Sequence, residues 1–431
     1  MNAASVARVS GADSGCVMQS IVSGCSGMVG SRSTLAGLGA FLLLANAGCS
    51  SDAGSPSGAG GSSGGESSRA GAAGKDGTAG SSGGSDTAGG SDTAGGSDTA
   101  GGSNASGGAP PMPTGDWVNV TANLANMPSE CGNTGGVFAK PDEDLLIVGV
   151  ALKGLWSSTD GGTSWKQLGD SAAITNRISG MLFDPDDSER FWEAGIYNGS
   201  GVYQTTDNGA HFSALGDIKH VDLVGVDFTD AARKTLVAGG HEQEKTLSLS
   251  TDGGATWSAI GSGLPAGEFC TLPLVIDAKT YVVGCYHFGS GTGIQRTTDS
   301  GATWKKVSSQ GGASALVRTS DGTIYAALGG SAGFVKSSDA GATWSAPMGA
   351  NSIKGFFIEL PDHRLAAVST AGMVVSSDKG ATFKPATPAL PFDPTGMTYS
   401  PQRKAFYISH FSCGNPPVPV PADAIMSHAF E

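Results

Sequence analysis

Short runs of β-branched and apolar residues recur along the chain from about residue 116 onward, and turn residues rich in Gly, Asp and Ser separate them. One repeat shows the pattern plainly, with apolar runs at 270–276, 279–285, 293–297 and 304–307. Runs of this length, bounded by turn residues, are typical of β-strands. The pattern therefore predicts an all-β domain built from repeated groups of four short strands.

One short motif follows the third strand of each repeat. Its first copy reads Ser158-Thr-Asp160-Gly-Gly162-Thr-Ser-Trp165, and every copy ends in Trp or Phe. An Asp side chain can accept hydrogen bonds from the N–H groups of its own turn, and Gly tolerates positive φ there, so each copy predicts a hairpin turn. We expect a structural role for the six aspartates of this motif, which are Asp160, Asp207, Asp252, Asp299, Asp339 and Asp378.

The spacing of the motif indicates the architecture. Successive aspartates are 47, 45, 47, 40 and 39 residues apart, which is the period of a four-stranded propeller blade. After the sixth copy the chain has three more strand patterns, at 396–399, 405–408 and 424–427, and the pattern at 117–120 aligns with an outer strand. We therefore predict a single seven-bladed β-propeller over residues 116–431, with its last blade closed by the N-terminal strand, which removes a free sheet edge.

The pattern Ser/Thr-x-Asp-x-Gly-x-Thr-Trp resembles the Asp-box, or BNR, repeat, and the resemblance covers about residues 116–431. That broad family includes sialidases, xyloglucan-degrading glycosidases and sortilin-type receptors, so the resemblance implies the propeller architecture rather than one activity. Sialidases hold their substrate with three arginines, one of them in an Arg-Ile-Pro stretch. Here Arg177-Ile178 is followed by Ser179, and the resemblance does not carry sialidase activity to this chain.

The N-terminal region resembles a bacterial lipoprotein signal peptide. The apolar stretch from Leu35 to Ala47 is too short to span a bilayer, but it suits the core of a signal sequence, and small residues precede Cys49. The resemblance implies an extension and signal peptide over residues 1–48, with translation starting at Met1 or Met28, and lipidation of Cys49. Ser50 after the cysteine implies sorting to the outer membrane; ordinary cleavage and secretion is the alternative.

Residues 49–115 form the next segment, the lipidated cysteine followed by a Gly/Ser-rich stretch with almost no large apolar side chains. It includes three tandem Gly-Gly-Ser-Asp-Thr-Ala units at 83–100. Such a sequence cannot bury enough surface to offset chain entropy, so we predict a disordered tether between anchor and propeller.

The net charge argues against two classes of binding partner. The chain has 38 acidic and 25 basic residues, a net charge of -13, which disfavours nucleic acid and anionic lipid surfaces. We expect a monomer without a cofactor, touching a membrane only through its anchor.

In an exported protein, cysteines usually form disulfides. Their positions at the ends of neighbouring strand patterns predict two disulfides, Cys131 with Cys413 and Cys270 with Cys285.

Ligands in such folds usually meet the face opposite the repeated turns. The second strand ends there in three successive blades with Gly195-Ile-Tyr197, Gly239-Gly-His241 and Gly284-Cys-Tyr-His287. Aromatic rings, imidazoles and acids would thus line one side of the concave opening on this face, which we call the mouth. The predicted ligand-binding residues are Tyr197, His241, Glu242, Tyr286 and His287.

The sequence leaves more than one chemical reaction possible at this mouth. Asp222, in a loop between blades, could pair with Glu242 or with Glu268 for glycoside hydrolysis, which needs two carboxyls about 5–10 Å apart. His and Tyr could instead serve β-elimination in a polysaccharide lyase. Blade 7 lies across the ring from blades 3 and 4, so three histidines do not predict a metal site.

Two classes of function therefore remain. The preferred one is a cell-surface lipoprotein whose propeller binds an extracellular glycan or protein. The alternative is an enzyme acting on extracellular glycans, a glycoside hydrolase of sialidase-like or xyloglucanase-like type or, less favoured, a lyase.

Overall fold

The computed structural model describes residues 115–431, apart from 288–289 and 415–416, together with the backbone of Arg32–Ser33. The structure is an all-β propeller of seven four-stranded blades, as predicted. In the run of blades 6, 7, 1, 2, 3 and 4, the first strand of each blade contacts that of the next. Written from first to fourth strand, the blades are Thr134–Ala139, Leu146–Val150, Gly154–Ser158 and Lys166–Gln167 (blade 1); Arg177–Phe183, Phe191–Ile196, Val202–Thr205 and Ser213–Ala214 (blade 2); Val221–Val226, Leu236–Gly240, Leu247–Ser250 and Ser258–Ala259 (blade 3); Phe269–Val275, Tyr281–His287, Ser290–Thr297 and Lys305–Ser308 (blade 4); Val317–Arg318, Ile324–Ala327 and Phe334–Ser337 (blade 5); Ile353–Glu359, Leu365–Ser369, Gly372–Ser376 and Lys384–Pro385 (blade 6); and Gly396–Ser400, Ala405–Ser409, Ile425–Ala429 and Val118–Asn119 (blade 7).

Blade 5 departs from the regular pattern. Its first strand pairs in parallel with Arg32–Ser33, and Phe334 of its third strand forms a single bridge with Met348 where other blades have an outer strand. Elsewhere, Pro128–Ser129 pairs with Val418–Pro419, and two 3-10 turns lie at Ala122–Leu124 and Ser171–Ala173. Across the described ranges, no helix is long and apolar enough to cross a membrane.

Blade 7 is closed by the N-terminal strand, which confirms the predicted closure. Val118 pairs with Ser427 and Asn119 with Met426 in an antiparallel ladder, and Val120 N–H donates to the Ile425 carbonyl at 2.9 Å. The closing strand therefore ties the beginning of the propeller to its last sheet.

The repeated turns form a network of side-chain hydrogen bonds. In the first one, Asp160 Oδ1 accepts from Ser158 Oγ at 2.7 Å and from the Ser164 N–H at 2.9 Å, while Oδ2 accepts from Ser164 Oγ at 2.6 Å. The other five turns repeat this arrangement, except that His211 Nδ1 replaces the hydroxyl beside Asp207. These bonds stabilise the ionised carboxylate and lower the pKa of Asp299 to about 2.

The indoles of Trp165, Trp257 and Trp304 join neighbouring blades, whereas Trp344 Nε1 donates to the Gly341 carbonyl of its own turn. Trp257 Nε1 donates to the Leu215 carbonyl of the preceding blade at 3.0 Å, and Trp304 Nε1 donates to Ile260 at 2.9 Å. Apolar side chains on both faces of the blades fill the space between sheets and form the core. In the copies that end in Trp165, Trp257 and Trp304, the motif thus forms a turn within one blade and a hydrogen bond to the blade before it.

Both predicted disulfides are present. Cys270 and Cys285 are direct partners on the first two strands of blade 4, and Cys131 is bonded to Cys413 near the blade 7 closure. Apart from the backbone of Arg32–Ser33, the predicted extension, signal peptide, Cys49 and tether lie outside the residues that the structure describes, and they remain predictions.

Candidate functional site

The first strands of blades 2, 3 and 4 share an irregularity close to the mouth. Their pairing register shifts at the same level, at Ser179, Asp222 and Thr271. A β-bulge redirects the side chain of the extra residue. Asp222 therefore lies within a strand, not in the loop that the sequence pattern indicated, and its carboxylate is directed into the interface with blade 4, where it meets Thr271.

Asp222 is fully buried and accepts three hydrogen bonds. Its Oδ1 accepts from His241 Nδ1 at 2.7 Å, and its Oδ2 accepts from Thr271 Oγ1 at 2.7 Å and from Tyr286 Oη at 3.0 Å. A buried carboxylate needs such donors. Because Thr271 and Tyr286 belong to blade 4, these bonds also connect blades 3 and 4 directly beneath the mouth. The sequence predicted that Tyr286 contacts the ligand, but Tyr286 is fully buried. It contributes to the site through its hydrogen bond to Asp222.

His241 connects Asp222 to the surface. Its Nε2 lies 3.5 Å from Tyr197 Oη, and the two rings meet edge to face with centroids 5.5 Å apart. Burial disfavours a charged imidazole, but the Asp222 carboxylate outweighs it and raises the pKa of His241. The predicted residues Tyr197, His241 and Asp222 thus form one continuous chain from solvent to core.

Tyr197 is an exposed aromatic ring held in a defined orientation. The residue is 41% exposed, and it is one of three large apolar residues that reach solvent to this extent among the described residues. Its N–H donates to His220 Nδ1 at 3.1 Å, and its ring also lies edge-on to that imidazole. The guanidinium carbon of Arg177 lies 5.7 Å from the centroid of the Tyr197 ring and 4.6 Å from that of Phe411.

The backbone around this ring is strained. Tyr197, His220 and Glu242 have φ values of 69°, 52° and 47°, in the left-handed region that non-glycine residues rarely adopt. His241 N–H donates to the His220 carbonyl at 2.6 Å, which joins two of these loops. Strain of this kind persists where the surrounding structure holds it, often at binding sites.

The predicted acids have different surroundings. Glu242 Oε2 lies 3.9 Å from His241 Nε2, while its buried Oε1 has no hydrogen-bond partner in the part of the chain that the structure describes. Glu268 lies 3.9 Å from Lys306 Nζ. His287 is exposed, and its ring stacks on Phe269 at 5.8 Å. The contacts place Glu242 with the Tyr197 and His241 pair and leave Glu268 and His287 at the edge contributed by blade 4.

Thr271, Phe411 and Glu130 complete the surroundings of the site, although they are not among the predicted site residues. Glu130 Oε1 accepts from Asn198 Nδ2 at 2.9 Å beside Tyr197. The cysteines that flank two of these residues, Cys270 beside Thr271 and Cys131 beside Glu130, were the available sequence signal.

Two further features lie outside this chain of contacts. Glu268, Cys270 and Cys285 come close enough to share an ion, but both sulfurs are in a disulfide and cannot act as thiolate ligands. A groove of 620 Å³ lies on the opposite face, between the turns of blades 5 and 6, and is lined by Ser320, Glu359 and His363 among others.

Comparison with known proteins gives partial likenesses. No family model matches the chain. A xyloglucanase from a Paenibacillus species is 25% identical over 210 residues, which cover 44% of this chain but only 19% of the relative's length. Among solved structures, YCF48 bound to a D1 peptide is 14% identical over 75% of this chain and 100% of that chain, with a TM-score of 0.46. The GH74 xyloglucanase from Xanthomonas campestris is 17% identical over 72% of this chain and 56% of that one, with a TM-score of 0.44.

Proposed function

We propose that this protein is exported and that its propeller binds a polysaccharide at the mouth of blades 2 to 4. The observation that carries the proposal is the exposed Tyr197 ring, oriented by His220, His241 and Arg177. An aromatic face can pack on the apolar face of a sugar ring, and adjacent imidazole and carboxylate groups can bind its hydroxyls. Because the ring is already held in place, little side-chain entropy is lost on binding.

The partial match to a protein named xyloglucanase supports a glucan as the first ligand to test. That match covers 19% of the relative, so the relative's activity is not transferred with it. In this proposal Asp222 and Tyr286 position His241 from below and do not touch the sugar, since both are fully buried.

A glycoside hydrolase is the second candidate, and one observation favours it. Glu242 has a carboxylate oxygen without a hydrogen-bond partner within the described ranges, next to the imidazole of His241. Such a group is free to act as an acid or base, with Glu268 as the second carboxyl. Asp222 is the weaker candidate, because its three hydrogen bonds occupy both of its oxygens.

Export is supported by the two disulfides, which persist in oxidising compartments. We assign residues 1–48 to the extension and signal peptide, Cys49 to lipidation, and the rest of 49–115 to a tether that holds the propeller away from the outer membrane. Radiolabelled palmitate should enter the wild-type protein but not the Cys49→Ala variant.

The binding proposal is tested with the full chain, xyloglucan and calorimetry. Tyr197→Ala should weaken binding about tenfold or more, which corresponds to about 1.4 kcal/mol, and Tyr197→Phe should retain most of the affinity. Val118→Ala is the control, because Val118 is also an exposed apolar residue but lies on the blade 7 closing strand. Unchanged affinity in Tyr197→Ala would contradict the proposed site. Release of reducing ends that stops in Glu242→Gln while binding persists would favour the hydrolase.

A further inference from the structure

His241 Nε2 has two possible donor atoms near it at the mouth, one from blade 2 and one from blade 3. His241 Nε2 lies 3.5 Å from Tyr197 Oη and 3.9 Å from Glu242 Oε2. Both distances are long for a hydrogen bond, which is normally about 2.7–3.2 Å. Two ligands bound at about 2.1 Å to one tetrahedral ion lie about 3.4 Å apart. The observed spacing is thus closer to that of ligands around an ion than to that of hydrogen-bond partners.

The imidazole is already oriented as a metal ligand would be. Asp222 Oδ1 accepts the His241 Nδ1 proton at 2.7 Å, which leaves the lone pair of neutral His241 on Nε2, the ring nitrogen that lies near Tyr197 Oη and Glu242 Oε2. A carboxylate behind the ligating histidine is the usual arrangement in metal sites, because it fixes the tautomer and makes the imidazole a better donor. Here that carboxylate is fully buried and fixed in turn by Thr271 and Tyr286.

Glu242 supplies an independent observation. Its Oε1 is buried and has no hydrogen-bond partner among the residues that the structure describes, although an orphaned carboxylate oxygen is costly. Its backbone is also held at positive φ beside His241. The side chain is 28% exposed, so it can move by the few tenths of an ångström that a shorter ligand spacing requires. A cation bound by both oxygens of the Glu242 carboxylate would pair the orphaned Oε1 as well as the Oε2 that lies towards His241.

The local charge is compatible with a cation. Asp222 and Glu242 contribute two carboxylates near His241, and the guanidinium of Arg177, next to the Tyr197 ring, contributes one opposing charge. The three histidines considered in the sequence analysis lie on blades 3, 4 and 7, which are too far apart to share one ion. This arrangement needs donors from neighbouring blades 2 and 3 alone.

We propose that His241 Nε2, Glu242 and Tyr197 Oη form a binding site for a divalent transition-metal ion of the class that imidazole prefers, such as Zn²⁺ or Ni²⁺. Solvent or the hydroxyls of a bound sugar complete the coordination. The site lies in the same mouth as the proposed polysaccharide site, but it is measured with the metal alone. Its failure therefore leaves polysaccharide binding untouched, and polysaccharide binding measured in the presence of a chelator tests that function separately.

The experiment is a calorimetric titration of the full chain, stripped with a chelator, with Zn²⁺ and Ni²⁺. One ion per chain should bind. His241→Gln, which keeps an N–H for Asp222, and Glu242→Gln should each weaken binding at least tenfold. Tyr197→Phe should weaken it less. Asp222→Asn should weaken it about 10- to 100-fold by misorienting the imidazole, with thermal unfolding used to verify that each variant is folded.

Matched controls come from exposed histidines beside carboxylates on the opposite face. His211→Ala and His363→Ala should leave the affinity unchanged, since these side chains contact Asp207 and Glu359 in turns on the face opposite the mouth. The proposal is overturned if no ion binds at millimolar concentration, or if His211→Ala or His363→Ala abolishes binding while His241→Gln does not. Tighter binding of Ca²⁺ than of Zn²⁺ would also overturn it, because Ca²⁺ selects oxygen ligands.

Discussion

His241 and Asp222 form a buried 2.7 Å hydrogen bond across the first two strands of blade 3, and through it a histidine at the mouth is held by an acid in the core. Thr271 and Tyr286 of blade 4 fix the same carboxylate. The mouth is therefore positioned by a contact between blades, and its geometry depends on how tightly blades 3 and 4 are joined.

Removing one donor from Asp222 should destabilise the propeller. Tyr286→Phe and Thr271→Val should each lower the free energy of unfolding by about 1.5–3 kcal/mol, the usual contribution of a hydrogen bond to a charged group. Urea unfolding measures this. Tyr325→Phe is the matched control, since no hydrogen bond involves the Tyr325 hydroxyl within the described residues. Equal stability of the two Tyr→Phe variants would contradict the role assigned to Asp222.

Gly239 allows blades 3 and 4 to approach each other. A Cβ at this position would lie 1.9 Å from the Thr271 carbonyl oxygen, which belongs to the backbone and cannot move aside cheaply. Gly239→Ala should therefore cost about 3 kcal/mol or more and displace Thr271 from Asp222. Gly414→Ala, where nothing lies within 4 Å, should be nearly neutral. Thermal unfolding of the two variants compares them directly, and similar melting temperatures would contradict the close approach.

Glu193 should make stability depend on pH. It is fully buried on blade 2, with Asn176 Nδ2 donating to Oε2 at 3.1 Å, and burial raises its pKa to about 8. The folded-state pKa lies above the ordinary value of 4.5. Its contribution to stability is therefore complete below about pH 4.5 and is lost as the pH rises through 8, with a slope of up to about 1.4 kcal/mol per pH unit.

Glu193→Gln cannot ionise, so the difference in stability between this variant and the wild type should shift in favour of the variant from pH 5 to pH 9. Urea unfolding at both pH values measures it. A difference that stays constant over this range would show that Glu193 is not held protonated.

His211 should give one turn a weaker dependence of the same sign. The Asp207 carboxylate, 2.6 Å from Nδ1, raises the pKa of this exposed imidazole. The stabilisation is therefore present below the ordinary histidine pKa and is lost as the pH rises through the raised one. His211→Thr restores the hydroxyl found in the other turns and should remove the dependence. An NMR titration of the His211 ring measures the pKa; a value at or below about 6.5 would contradict this contact.

The closing strand should be essential for cooperative folding. Deletion of 110–121 removes the ladder with Ile425–Ala429 and the Val120 carbonyl that accepts from Trp165 Nε1 at 2.9 Å. It would leave a free edge on blade 7 and an unpaired tryptophan in blade 1. The deletion should abolish the single unfolding transition in calorimetry. A truncated protein with the wild-type melting temperature would contradict the closure model.

The sequence by itself determined the blade architecture, because a repeated turn is a local structure. Each Asp motif folds within a few residues, and its spacing reports how much chain one blade uses. The pairing of Cys270 with Cys285 followed in the same way, since register within one hairpin places them opposite each other. The closing strand was readable because three strand patterns follow the sixth turn motif, and the N-terminal pattern at 117–120 aligns with the outer strand that the last blade lacks.

Only the tertiary structure decided how the mouth is built. A bulge at Asp222 turns an apparent loop acid into a buried one, because one extra residue in a strand changes the direction of its side chain. Tyr286 is buried for a related reason: its hydroxyl meets a carboxylate 64 positions away on another blade. Such contacts depend on the spacing between sheets, and no local pattern of polar and apolar residues encodes that spacing.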